Sequence, residues 1–180
     1  MNRAPVRPPR SALLVARILL ALPDLHRVHP WWRTLRGVRV EALRRSGVSA
    51  GDGVTVHEGA HFDRRVAVVL GDRSEVRDRV RIGIAEVGER SGSFALGAGS
   101  VVLSDSQVDC TASVTVGRRT HVGRRAQVFT HAHDVSRRSV PVLEAPVTSA
   151  SVVIGDDVMI YNDVVTVSYT HLTLPTILLV

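Results

Sequence analysis

A mainly β chain wound into a triangular parallel β-helix, preceded by a helical segment, is the fold class the sequence predicts. Three observations carry it. Leu70, Val76 and Ile82 fall six apart, as do Val116, Val122 and Val128, and as do Ile154 and Ile160. Gly71, Gly83, Gly97, Gly117, Gly123 and Gly155 each directly follow an aliphatic residue. Small or β-branched residues (Val68, Ser74, Val80, Val114, Thr120, Ala126, Val152 and Val158) stand two places before the aliphatic position. A strand repeats with period two and a helix with period 3.6, so spacing six needs flat sides of about six residues, three to a coil, with like positions stacked from coil to coil. The glycines are then expected at corners, where a backbone without Cβ bends freely. A Val-rich sandwich is the competing arrangement, and the scarcity of turn dipeptides and aromatics argues against it.

Residues 1–47 are different material. Ser11 to Leu22 reads SALLVARILLAL, an apolar helix-like run after Arg3, Arg7 and Arg10 that stops near Pro23 and Asp24. Arg17 interrupts it and no small-x-small site follows, so a secretion signal is not expected. It is also too short to span a bilayer. A second helical stretch from about Pro30 to Arg45 carries Trp31 and Trp32 among several arginines. The expectation is that these helices cover the open first coil of the prism. Peripheral membrane contact through residues 11–45 is the alternative.

The prism itself is expected over 48–166. From Val48 to Val68 the pairs Val48/Ala50, Val54/Val56, Ala60/Phe62 and Val66/Val68 fit either phase of the repeat. The count breaks between Ile84 and Leu96, and again after Val128 until Val152, so a loop is expected to leave the coils at each place, the second spanning 129–151. The last fourteen residues, 167–180, read VSYTHLTLPTILLV and abandon the rhythm. They look like translated transposon-end and adapter sequence from a library, and are expected to lie outside the native fold.

Composition narrows the function classes. The net charge of +6 comes from arginine alone, since the 23 Lys+Arg positions hold no lysine. The arginines sit in scattered pairs, Arg64/Arg65, Arg118/Arg119, Arg124/Arg125 and Arg137/Arg138, rather than in a dense run with aromatics, which disfavours nucleic-acid binding. A single cysteine, Cys110, at an inward position forbids an internal disulfide and suits a reducing, cytoplasmic setting.

Candidate chemistry lies in the second loop, FTHAHDVSRRSVPVLEAPVTSAS, which returns to the coils as VVIGDDVMI. For an alcohol to attack as a nucleophile, its hydroxyl must lose its proton. An imidazole near neutrality can take that proton and return it to a leaving group. No serine elbow or reactive-cysteine context is evident, so direct attack by an acceptor is expected rather than a covalent enzyme intermediate. Asp134 is a candidate to orient an imidazole or contact the acceptor, and Arg137 and Arg138 to meet an anionic acceptor or a cofactor phosphate.

With the coil VGRRTHVGRRAQV, the loop opening Thr130-His131-Ala132-His133-Asp134 and the return Val152 to Val158, the chain resembles the hexapeptide-repeat acyltransferases, which include sugar O-acetyltransferases. The resemblance covers 48–166. It implies a left-handed β-helix, a homotrimer, and acetyl-CoA as co-substrate, lying between subunits, with no metal. It also implies a catalytic histidine in a Thr-x-x-His pattern, which makes His133 the first choice and His131 the alternate. Asn162, with Met159 and Tyr161, stands on the first coil past the loop, where the resemblance implies coenzyme contacts. The family usually reads Ile-Gly-Ala-Asn there, so Tyr161 replaces a glycine, and Met159 stands where tryptophan is frequent. The expected acceptor is a small sugar or glycan of the surface-polysaccharide kind. Two other classes share the prism: a zinc protein like the γ-class carbonic anhydrases, with His121, His131 and His133 as candidate ligands, and a non-catalytic structural β-helix.

Overall fold

The computed structural model describes residues 32–84, 92–133, 140, 141 and 144–168, with side chains from Gly37 onward. The expected helix over 11–22, Trp31, Asp134, Arg137, Arg138 and the tail from residue 169 lie outside the described residues. Among the described residues the chain runs from a helix, Trp32–Arg45 (α1), into five coils of three short strands each. The first coil holds Ser49–Ala50 (β1), Thr55–Val56 (β2) and His61–Phe62 (β3), and the second Ala67–Leu70 (β4), Glu75–Val76 (β5) and Arg81–Gly83 (β6). The third holds Ser93–Leu96 (β7), Val101–Val102 (β8) and Gln107–Asp109 (β9), and the fourth Val114–Val116 (β10), His121–Val122 (β11) and Gln127–Phe129 (β12). A hairpin of His131–His133 (β13) and Val147–Ser149 (β14) intervenes before the fifth coil, Val152–Ile154 (β15), Met159–Ile160 (β16) and Val165–Val167 (β17).

Corresponding strands pair in parallel to give three five-stranded sheets, the faces of a left-handed parallel β-helix; the hexad pattern predicts the three-sided parallel prism, and the resemblance implies its hand. The two inward columns of each face are buried, apart from Ala50, Val54, Ala60 and Phe62 of the first coil, which are partly buried. Leu70, Leu96, Val116 and Ile154 stack in one, and Val68, Phe94, Val114 and Val152 beside it. Both phases of the ambiguous first coil contribute, since Val48, Val56, Val66 and Val68 are all buried.

The coil is longer than three hexads. First and second coils, and third and fourth, pair at a separation of 20 residues. The two extra residues fall at the corner where the third face hands over to the first, which is why the hexad count slips there. The same corner accommodates both larger breaks, where the separation grows to 26 and then to 38. Every irregularity of the prism, the candidate loop included, therefore leaves from one edge.

Gly71, Gly97, Gly117 and Gly123 serve close approach rather than φ freedom. Positive φ falls two residues later, on Arg73, Arg119 and Asp157 at one corner, and at the next on Arg79, Asp105, Arg125 and Asp163, between 52° and 66°. A Cβ on Gly97 would lie 2.3 Å from the Gly117 carbonyl oxygen, and one on Gly117 would lie 2.4 Å from the Gly155 carbonyl carbon. Side-chain-bearing residues in the left-handed region cost about 1–2 kcal/mol each, and here they stack as alternating charges. Gly59, Arg79, Asp105, Arg125 and Asp163 form one such column, with Arg79 Nε donating to Asp105 at 2.6 Å and Arg125 Nε to Asp163 at 2.6 Å. Arg119 pairs with Asp157 at the neighbouring corner.

Helix α1 ends on Gly47 at φ 102°, with Gly47 N–H donating to the Arg44 carbonyl and Val48 N–H to the Leu43 carbonyl, a Schellman closure. Val40 and Leu43 join the core of the first coil, and the Arg44 guanidinium donates to the carbonyls of Ala50 (2.8 Å) and Gly51 (2.7 Å) at an edge that no strand among the described residues covers. Among the described residues no helix is long and apolar enough to cross a membrane.

Candidate active site

At the end of β12 the chain leaves the prism through Thr130, which is fully buried, and begins the hairpin. Its strands pair antiparallel, His131 opposite Ser149 and His133 opposite Val147. The sequence predicts a loop here, and the hairpin gives both ends of it a ladder. Strand alternation turns His131 and His133 to one face and exposed Ala132 to the other. Their rings meet edge to face with centroids 6.2 Å apart, and Phe129 meets His131 in the same way at 6.2 Å.

One coil earlier, Asp109 ends β9 directly beneath this exit. Its side chain is only 4% exposed, yet both carboxylate oxygens are supplied with donors. Oδ1 accepts from the Thr111 backbone N–H (3.0 Å) and hydroxyl (2.7 Å). Oδ2 accepts from the Thr130 N–H (3.0 Å), the Thr130 hydroxyl (2.8 Å) and His131 Nδ1 (2.7 Å). The Thr130 hydroxyl oxygen in turn accepts from Ala112 N–H at 2.9 Å. A buried carboxylate is costly unless its lone pairs are filled, and charge-assisted donors fill these. With Asp109 ionised, the hydrogen between it and His131 belongs on Nδ1, which leaves Nε2 as an acceptor.

Sequence reasoning missed Asp109. It lies 22 residues before His131, so a hexad count of eighteen to the coil does not bring it under the loop, whereas the true coil of 20 does. The useful signal is an acid at a strand end just after an inward valine, one coil before the break.

The other candidates sit elsewhere. Met159 and Tyr161 are exposed on and beside β16, and Asn162 occupies the following corner, its Oδ1 accepting from Arg124 N–H at 2.8 Å. That corner joins the second face to the third, whereas the histidines leave from the third-to-first corner, so one chain does not bring the two groups together. His121 projects from the second face, paired with Met159, and partial burial holds its pKa below the ordinary value. Among the described residues no three His, Cys, Asp or Glu side chains are arranged to hold a metal ion.

No protein-family model matches the chain, and no curated protein matches it. Among solved structures it is similar to a hexapeptide-repeat containing acetyltransferase of Vibrio cholerae complexed with acetyl coenzyme A, at 16% identity and a TM-score of 0.40, over 88% of this chain and 66% of that one. It is also similar to a mutant of AntD, an N-acyltransferase from Bacillus cereus in complex with dTDP and coenzyme A, at 16% identity and a TM-score of 0.32, over 69% and 70% of the two chains. The chain thus spans just under two thirds of the length of the first.

Proposed function

We propose that the protein is an O-acyltransferase, moving an acetyl group from acetyl-CoA to a hydroxyl of a sugar-like acceptor, with a histidine of β13 as general base and no acyl-enzyme. The observation that carries this reading is the pair of imidazoles on one face of a hairpin anchored to the coil by a buried carboxylate. The acceptor oxygen attacks the thioester carbonyl as its proton passes to the imidazole. The C–S bond then breaks, and the imidazolium returns the proton to the departing thiolate. General-base help of this kind is worth roughly 10² to 10⁴ in rate.

The partner implied by this reading is a second and third copy of the chain. Met159, Tyr161 and Asn162 stand at a different corner from the histidines, so a coenzyme touching both groups would lie between neighbouring subunits of a homotrimer. The protein would work in the cytoplasm, where Cys110 stays reduced, on a glycan precursor.

The test is thiol release from acetyl-CoA with a panel of sugars and nucleotide sugars, alongside metal analysis. The expected result is acceptor-dependent release of coenzyme A by protein free of stoichiometric zinc. No release with any acceptor and no binding of acetyl-CoA would remove the proposal, and one zinc per chain with hydration of carbon dioxide to bicarbonate would favour the carbonic anhydrase class.

A further inference from the structure

Resting on the acyl-transfer reading, we infer that Asp109 is a positioning residue that fixes His131 in its Nε2-basic tautomer, and that His131 rather than His133 is the general base. The warrant is geometric. His131 Nδ1 lies 2.7 Å from Asp109 Oδ2, and the remaining contacts of the carboxylate leave it little freedom to turn: Thr111 holds Oδ1 through two donors, and Thr130 holds Oδ2 through two more. The anchor is therefore rigid before any substrate arrives.

A base needs a lone pair aimed at the acceptor and a neighbour that favours the charge it acquires. Asp109 supplies both conditions to His131. It accepts a hydrogen bond from Nδ1–H, which leaves the lone pair on Nε2, and its negative charge stabilises the imidazolium formed as the hydroxyl proton arrives. The side chain of His131 is 13% exposed, so the ring is largely enclosed, with Phe129 and His133 each perpendicular to it at 6.2 Å. Thr130 matters in the same unit. Its hydroxyl oxygen is occupied by Ala112 N–H, which leaves its single hydrogen for Asp109. The Thr in front of the histidines is thus a bracket for the carboxylate.

A purely structural tie between hairpin and coil would also use these contacts, so the test reads tautomer and turnover separately. In the intact protein with ¹⁵N-labelled histidine, long-range ¹H–¹⁵N spectra report which ring nitrogen of neutral His131 carries hydrogen. The expected result is hydrogen on Nδ1, with that preference weakened in Asp109→Asn, whose neutral amide no longer holds it by charge. Hydrogen on Nε2 in the wild type overturns the inference, whether or not the protein transfers acyl groups, and this arm needs no variant to fold. In the kinetic arm, Asp109→Asn lowers kcat by roughly 10² or more, with the KM for acetyl-CoA little changed. His131→Ala lowers it further than His133→Ala does. An unchanged kcat in Asp109→Asn, or the reverse order of the two alanine variants, overturns the inference while leaving acyl transfer intact. Failure of the wild type to use any acceptor removes the functional reading, and the spectra still decide the Asp109–His131 pair.

Discussion

The residue next to the candidate anchor is a thiol, and its chemistry follows from its surroundings. Cys110 is buried, and its pKa is pushed up to about 12, first by burial and then by the adjacent charge of Asp109. Thiolate is the reactive form, so Cys110 is inert near neutrality. Native protein should react with a thiol-specific reagent only on unfolding, and rapid stoichiometric labelling of the folded chain would show that Asp109 and Cys110 are open to solvent. The same pair of neighbours shows what a sequence can carry. That Cys110 points inward is legible from its hexad position. That Asp109 is buried as well, against the preference of its charge, is not, because the donors that make its burial tolerable come from residues both before and after the coil closes.

At the scale of elements, the coils depend on close backbone stacking and on charged corners. Gly117 can carry no side chain without pushing the fifth coil away, because its Cβ would meet the Gly155 carbonyl carbon at 2.4 Å and the Asp156 nitrogen at 2.5 Å. Gly117→Ala should destabilise the protein by about 1–3 kcal/mol, the usual cost of overpacking, and an unchanged melting temperature would contradict the stacking described. The corners predict a pH response. Asp63 is held down to about 2 chiefly by its hydrogen bonds to Arg65, and Asp105, Asp157 and Asp163 are lowered chiefly by side-chain hydrogen bonds to Arg79, Arg119 and Arg125. Asp156 is lowered first by the backbone N–H of Arg118 and then by its side chain. A carboxylate whose folded pKa is depressed stabilises the fold above its unfolded value of about 3.9, and that contribution fades as pH falls toward the folded value. The melting temperature should therefore drop as pH is taken from about 4 to about 2, and less steeply in high salt, because the pairs are exposed and screened. A flat profile over that range would mean that the corner pairs contribute nothing.

Across the whole molecule, the prism was legible because the coils repeat the same two inward columns: Phe94 differs in size from Val68, Val114 and Val152 but not in place. The coil length was less legible. The two extra residues at the third corner leave no mark beyond a slip between Val66 and Val68, and without them Asp109 does not fall beneath His131. The hairpin was legible as a break, and its histidines as candidates. Their order of importance was not, since Thr-x-x-His is a pattern along the chain and the carboxylate arrives from the coil below. Asp134, Arg137 and Arg138 keep the standing the sequence gives them, as candidates for acceptor or phosphate contact. The most direct measurement is transfer of labelled acetyl from acetyl-CoA to a sugar hydroxyl, by the wild type and by the double variant His131→Ala/His133→Ala. The prediction is an O-acetylated product from the wild type and a rate lower by roughly 10² or more in the double variant. Equal rates from a folded double variant, or no product from the wild type with any acceptor, would contradict it.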